Sequence, residues 1–282
     1  MTVAALQLSG LSLASEIERN FIDLTDIYEF ADDPVQVSKT WEYGYIFVPG
    51  AVISEFTYGK MNSPTIQSRL NDIPDNVRYP LIVYLHDAGG VSAKVYRLLR
   101  ELEIENFAVV LPDSYARTGR VSDCKGRPSN PHSCAMSPAV YLMRRAELIY
   151  AVGAARRFSW VDQSNVFLAG SGEGAVTIAL WGGDVDVSGY IIIDWTCTAP
   201  AEFPWFSGLR VPRNRPTLVI TTSLSRWADM PGWNGNCLEK ADSHANIDAL
   251  NIDTSIRDIY GLREGRQMIL RFLHLNRRVI TN

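Results

Sequence analysis

The feature that most restricts the fold is a series of short, unbroken apolar runs separated by helix-forming stretches. Tyr79-Pro80-Leu81-Ile82-Val83-Tyr84-Leu85 is the clearest of them. It has no solvent-facing alternation, so it reads as a strand buried on both faces. A glycine-containing turn and a helix-like segment from Ser92 to Glu105 follow. Phe107 to Leu111 repeats the strand, a long loop runs from Pro112 to Met136, and Ser137-Pro138 opens a helix reaching about Phe158, proline being well placed in a first turn. Val166 to Ala169, Tyr190 to Ile193, Thr217 to Thr221 and Ile247 to Ile252 supply four more buried strands. A last helix, about Tyr260 to Leu275, carries Leu262, Met268, Ile269, Phe272 and Leu273 on one stripe. Strands alternating with helices imply the α/β class, a mainly parallel sheet with helices on both faces. Trp41 to Tyr58 instead alternates around Pro49-Gly50, as an antiparallel N-terminal hairpin would. Residues 1–40 read as a lead segment, polar and helical from Ser15 to Asp32, and residues 41–282 as one domain; no repeat or linker divides them.

Composition bounds the function classes. With 46% hydrophobic and 21% charged residues the chain can fill a sizeable core, and a formal net charge of -4 leaves no basic footprint for nucleic acid or an anionic membrane. The run from Val3 to Ser15 lacks a Lys/Arg lead, is broken by Gln7, Ser9, Gly10 and Ser12, and is too short to span a bilayer. A soluble, cytoplasmic protein without membrane insertion is the expectation. Cys124, Cys134, Cys197 and Cys237 show neither C-x-x-C spacing nor a histidine pair, so no metal is expected. Two disulfides and four unlinked thiols both remain open. No cofactor is expected.

The most informative stretch for chemistry is Asn165-Val166-Phe167-Leu168-Ala169-Gly170-Ser171-Gly172-Glu173-Gly174-Ala175. A hydrophobic strand enters small residues and leaves as a helix, the form of a nucleophile elbow, in which flanking glycines permit a tight turn that exposes a central side chain. Gly170 and Gly174 flank, but the centre is Gly172, which has no nucleophilic atom; Ser171 lies one position early. A dinucleotide-binding glycine loop is a rival, but the glycines have the wrong spacing.

From Tyr79 to Leu273 the chain resembles the dienelactone-hydrolase-like branch of the α/β hydrolases. The resemblance rests on Tyr84-Leu85-His86-Asp87-Ala88-Gly89-Gly90, which looks like that family's oxyanion turn after strand three. It also rests on Val110 to Arg120, on Arg144-Arg145-Ala146-Glu147 and on Phe167 to Ala175. It implies an α/β-hydrolase fold. It also implies a triad acid after strand seven, where Thr222-Ser223-Leu224-Ser225-Arg226-Trp227 puts Ser225, and a histidine after strand eight, where Arg257 stands. An arginine cannot serve as general base, because it stays protonated far above neutrality.

A degenerate triad (Gly172, Ser225, Arg257) therefore points to a non-catalytic protein binding a small ligand or a protein partner at the former active-site face, through His86, Asp87, Gly89, Ser171, Glu173, Trp227 and Arg257. His86 and Glu173 also read as structural residues, and Arg257 as half of a surface ion pair with Asp258. Trp195, Trp205, Trp227 and Trp233 either cap a pocket or pack. One alternative is an esterase or lactone hydrolase with the relocated residues Ser171, His244 and Asp229; another is a structural subunit of a larger assembly.

Overall fold

The apolar runs lie side by side in one mixed sheet. The computed structural model describes residues 31–50, 57–120, 138–201, 203–225, 231–240, 246–254 and 259–278. Within them the strands are β1 (Tyr45–Val48), β2 (Thr57–Lys60), β3 (Tyr79–Leu85), β4 (Ala108–Leu111), β5 (Val161–Ser171), β6 (Gly189–Ile193), β7 (Thr217–Thr222) and β8 (Ile247–Ile252). Their order is β2-β1-β4-β3-β5-β6-β7-β8. β1 is antiparallel to β2 and β4, and β4 through β8 run parallel, which puts the C-terminal ends of β3, β5, β6, β7 and β8 on one edge.

The helices are α1 (Pro34–Glu42), α2 (Pro64–Asn71), α3 (Ala93–Ile104), α4 (Pro138–Ala155), α5 (Glu173–Trp181), α6 (Cys237–Lys240) and α7 (Arg263–Asn276). The two-residue period of the strands divides the core between the two sheet faces. Leu81, Val83, Leu85, Val166 and Leu168 pack with Val140, Tyr141 and Leu148 of α4 and Val176 and Ile178 of α5. Ile82, Tyr84, Phe167 and Ala169 pack with Leu98 and Leu102 of α3 and Ile269, Phe272 and Leu273 of α7. Both faces of β3 are covered, so its run needs no polar alternation.

Several boundaries differ from expectation for local reasons. The hairpin forms, but Val48 pairs with Thr57, so its connection is longer than a turn at Pro49-Gly50 and residues 51–56 lie outside the described set. α2 has no strong sequence signal: eight residues after Ser63 bury only Ile66 and Leu70. α7 begins at Arg263, and Tyr260 lies in a separate 3-10 turn, Ile259–Gly261. α1, capped by the Asp33 side chain on the Val35 and Gln36 amides, spans the expected junction at residues 40 and 41; residues 15–30 of the expected helical lead lie outside the described residues.

Cys197, just past β6, is joined to Cys237 of α6 by a disulfide; Cys124 and Cys134 lie outside the described residues. Among the described residues no helix is long and apolar enough to cross a membrane, and no group of three or more His, Cys, Asp or Glu is placed to hold a metal ion.

Candidate active site

The turn from β5 into α5 has the elbow geometry that its glycines anticipate. Gly172 takes φ 50° and ψ -113°, in the left-handed half of backbone space that glycine enters without a Cβ clash. Its N–H donates to the Ile193 carbonyl at 3.0 Å, which pins the turn to β6. The flanking glycines answer a different need, close approach. A Cβ on Gly170 would lie 2.8 Å from the Gly174 carbonyl carbon, and one on Gly174 would lie 2.1 Å from the Leu85 carbonyl oxygen. The tip carries no side chain, so the polar groups at this edge belong to its neighbours.

Ser171 is the first of them. As the last residue of β5 it lies two positions beyond Ala169, on the face shared with Tyr84. The Tyr84 hydroxyl donates to Ser171 Oγ at 3.0 Å. The Tyr84 and Tyr260 hydroxyls are hydrogen-bonded to each other. Tyr260 comes from the segment between β8 and α7. Its carbonyl accepts from Arg266 at 2.6 Å, and Arg266 Nε pairs with Glu101 of α3 at 2.7 Å, so the turn carrying the phenol is fixed. Burial pushes both phenols above their ordinary range, so both are neutral donors near neutral pH.

The turn after β3 is held from below. His86 is fully buried; its Nδ1 lies 2.6 Å from the Asp87 carbonyl and its Nε2 accepts the Ser114 N–H at 3.0 Å. These partners fix the tautomer with the proton on Nδ1, and burial, reinforced by the Arg144 charge, keeps the ring neutral well below its usual range. The Asp87 side chain accepts the Gly89 N–H at 2.7 Å, and Tyr115 donates to the Ala88 carbonyl. Gly89 is exposed at the crest of this turn.

A buried ion network supports both turns. Glu147 accepts from Arg117 at 2.8 Å, Arg144 at 2.9 Å and Ser114 at 3.0 Å. Glu173, directly after the elbow tip, pairs with Arg120 at 2.5 Å and with Arg144 at 3.5 Å, while Arg144 also donates to the His86 carbonyl at 2.9 Å. Burial is the largest influence on the Glu173 carboxyl and raises it, against the lowering by Arg120 and Arg144. Glu173 and His86 thus tie α4, α5 and the two turns together.

Ser225 is buried just after β7, its N–H bonded to the Thr222 carbonyl at 2.9 Å. Trp227, Asp229, His244 and Arg257 lie outside the described residues. Trp195 and Trp233 are buried and pack 6.0 Å apart, whereas Trp205 is exposed. The residues that sequence reasoning passed over are Tyr84 and Tyr260. The available signal was Tyr84 itself, a hydroxyl inside a strand covered on both faces, where it requires a partner.

No protein-family model matches the sequence, and no curated protein matches it either. Solved structures do share its shape. A dienelactone hydrolase from Klebsiella pneumoniae aligns at TM-score 0.51 and 15% identity over 71% of this chain and 88% of its own. Esterase PE8 aligns at 0.54 and 15% over 72% and 95%. An acetyl xylan esterase from Paenibacillus sp. aligns at 0.51 and 14% over 71% and 75%. These neighbours, all named for hydrolysis, overturn the expectation of a non-catalytic binding protein and favour its hydrolase alternative. The physical reason lies in the premise of that expectation: Gly172 offers no nucleophile, but the Ser171 hydroxyl stands at the same strand end in a polar cluster. Strand order, elbow and structural likeness together give this chain the α/β-hydrolase fold.

Proposed function

We propose that this protein hydrolyses small carboxylic esters or lactones, with Ser171 as the nucleophile. The observation that supports this most is the place of Ser171 Oγ: at the C-terminal end of β5, directly before the elbow tip and in hydrogen-bond contact with Tyr84. Ligands of open parallel sheets bind beyond the carboxyl ends of the strands, and this hydroxyl is at that edge. In this reading the substrate lies against the turn from Asp87 to Gly89, while His86 and Glu173 support the turns from within, since their polar atoms are already engaged. Trp227 and Arg257 are proposed contacts to the rest of the substrate. His244 and Asp229 are the base and acid that the sequence nominates.

The test is turnover of p-nitrophenyl acetate and of a dienelactone by the purified protein and by Ser171→Ala. The proposal expects measurable turnover that falls at least about a thousandfold in the variant, as for loss of a catalytic nucleophile. No turnover above the uncatalysed rate, or equal turnover by Ser171→Ala, overturns it. The compartment is open to the same kind of proposal. A cytoplasmic home implies reduced thiols at Cys197 and Cys237, whereas their disulfide fits an oxidising one; mass spectrometry after alkylation without reductant decides between them.

A further inference from the structure

We propose that Tyr115 is a positioning residue for ester hydrolysis at this site: its hydroxyl, bonded to the Ala88 carbonyl, fixes the turn after β3 in the orientation that turnover requires. The proposal rests on the hydrolase reading above, in which the substrate lies against that turn.

The turn contains two consecutive peptide units whose carbonyls are both engaged. The Asp87 carbonyl accepts the Gly90 N–H at 3.1 Å and lies 2.6 Å from His86 Nδ1. In the next unit the Ala88 carbonyl accepts from Tyr115, while the Gly89 N–H, on the same peptide plane, donates to the Asp87 side chain at 2.7 Å. That plane is therefore held at both ends by side chains. A trans peptide points its N–H opposite its C=O, so the Ala88 N–H points away from the buried His86 ring. Without the Tyr115 hydroxyl the Ala88 carbonyl loses its donor and can rotate outward. A carbonyl oxygen turned toward the substrate opposes the negative charge that builds on a reacting acyl oxygen, whereas N–H groups stabilise it.

Tyr115 is itself held in place. It stands in the 3-10 turn Ser114–Ala116 after β4, where Asp113 accepts its N–H at 3.0 Å. The preceding residue, Ser114, donates its N–H to His86 Nε2 at 3.0 Å, so the two turns are joined twice, by His86 reaching from the β3 side and by Tyr115 reaching from the β4 side. Their rings stack with centroids 5.9 Å apart. A Cβ on Gly90, whose φ is 81°, would lie 3.4 Å from the Tyr115 ring, so the ring also packs against the end of the turn.

The same ring connects the turn with the elbow. The Arg120 guanidinium lies 4.2 Å from the centre of the Tyr115 ring, within cation-π range. Arg120 also donates to Ser114 Oγ at 2.8 Å and pairs at 2.5 Å with Glu173, the first residue of α5. A line from Ala88 through Tyr115 and Arg120 to Glu173 thus ties the turn to the helix that starts at the elbow, beside the strand pairing of Leu85 with Gly170. Tyr115 is 38% exposed, so removing its hydroxyl leaves the core untouched.

The experiment measures kcat and KM for p-nitrophenyl acetate in the natural chain, Ser171→Ala, Tyr115→Phe and Tyr115→Leu, with the unfolding midpoint of each and deuterium exchange at the Gly89 amide. Tyr115→Phe keeps the ring against His86 and Arg120 and removes the bond to Ala88. Its kcat is expected to fall about tenfold to a hundredfold, the scale of a misplaced reacting group, with KM changed less than about twofold and the midpoint unchanged. The Gly89 amide is expected to exchange about fivefold faster, as for loss of one hydrogen bond, while the amides of β3 stay protected. Tyr115→Leu is expected to lose at least as much kcat and to lower the midpoint as well. Full kcat in Tyr115→Phe overturns the proposal, and so does a rise in KM alone, which makes Tyr115 a substrate contact. A fall in kcat with unchanged Gly89 exchange overturns it too, because the turn has then not moved. Turnover that does not depend on Ser171 is a separate result, which removes the reading of Ser171 as nucleophile and this inference with it.

Discussion

Tyr84 on β3 and Ser171 at the end of β5 are joined by a 3.0 Å hydrogen bond across 87 positions of sequence. The bond satisfies a phenol that the strand buries completely. Ser171→Ala removes one partner and leaves Tyr84 with Tyr260 alone, at an expected cost of about 1–2 kcal/mol, the range for a buried donor losing part of its network. Urea denaturation measures it; a variant as stable as the natural chain would show that Tyr260 satisfies Tyr84 by itself.

Glu147 carries a heavier burden. It is fully buried and receives Arg117, Arg144 and Ser114 together. Glu147→Ala leaves two buried guanidinium groups without this counter-charge, and the expected loss is about 3–5 kcal/mol. Chemical denaturation followed by tryptophan fluorescence reports it, and a loss under about 1 kcal/mol would mean that the network relaxes around solvent.

At Gly174 the constraint is steric. The Cβ introduced by Gly174→Ala meets the Leu85 backbone oxygen at 2.1 Å, which requires α5 to move away from β3. Overpacking of this kind costs about 1–3 kcal/mol or more. Because α5 starts at the elbow, turnover is expected to fall together with the melting temperature; a variant that melts like the natural chain would show that the elbow yields without strain.

The fold was legible because its signal is local and redundant. A run such as Tyr79 to Leu85 has no polar alternation, and the glycine spacing 170, 172, 174 is written within five residues. The site was less legible because its members are brought together by the sheet. Nothing near Tyr260 in sequence points to Ser171, and Tyr260 looked like the opening of the last helix until the 3-10 turn separated it. The expectation of a non-catalytic protein was drawn from the missing side chain at Gly172, and it is that expectation which the hydrolase-named structural neighbours overturn; the Ser171 hydroxyl, bonded to Tyr84, lies at the same strand end. The Cys197–Cys237 link was equally hidden, as spacing alone cannot choose among pairings.

Glu103 provides a test of pH dependence away from the site. Its side chain is buried on α3, Oε1 has no hydrogen-bond partner, and burial raises the carboxyl to about 7 against the lowering by Arg100. A folded value above the unfolded one means that its contribution is fully favourable below the unfolded range and is lost as pH rises through about 7. Glu103→Gln is expected to raise stability by about 1–2 kcal/mol at alkaline pH and to change it little under acid conditions. Calorimetric melting at the two pH values checks the sign, and a gain confined to acid pH would contradict the assignment.

The measurement that tests the central claim most directly is covalent labelling with a serine-directed fluorophosphonate, followed by peptide mass spectrometry of the intact, folded protein. A hydrolase working through Ser171 is labelled once, in the peptide carrying Gly170-Ser171-Gly172, and Ser171→Ala is not labelled. A protein that takes no label, or takes it at another serine, contradicts the account.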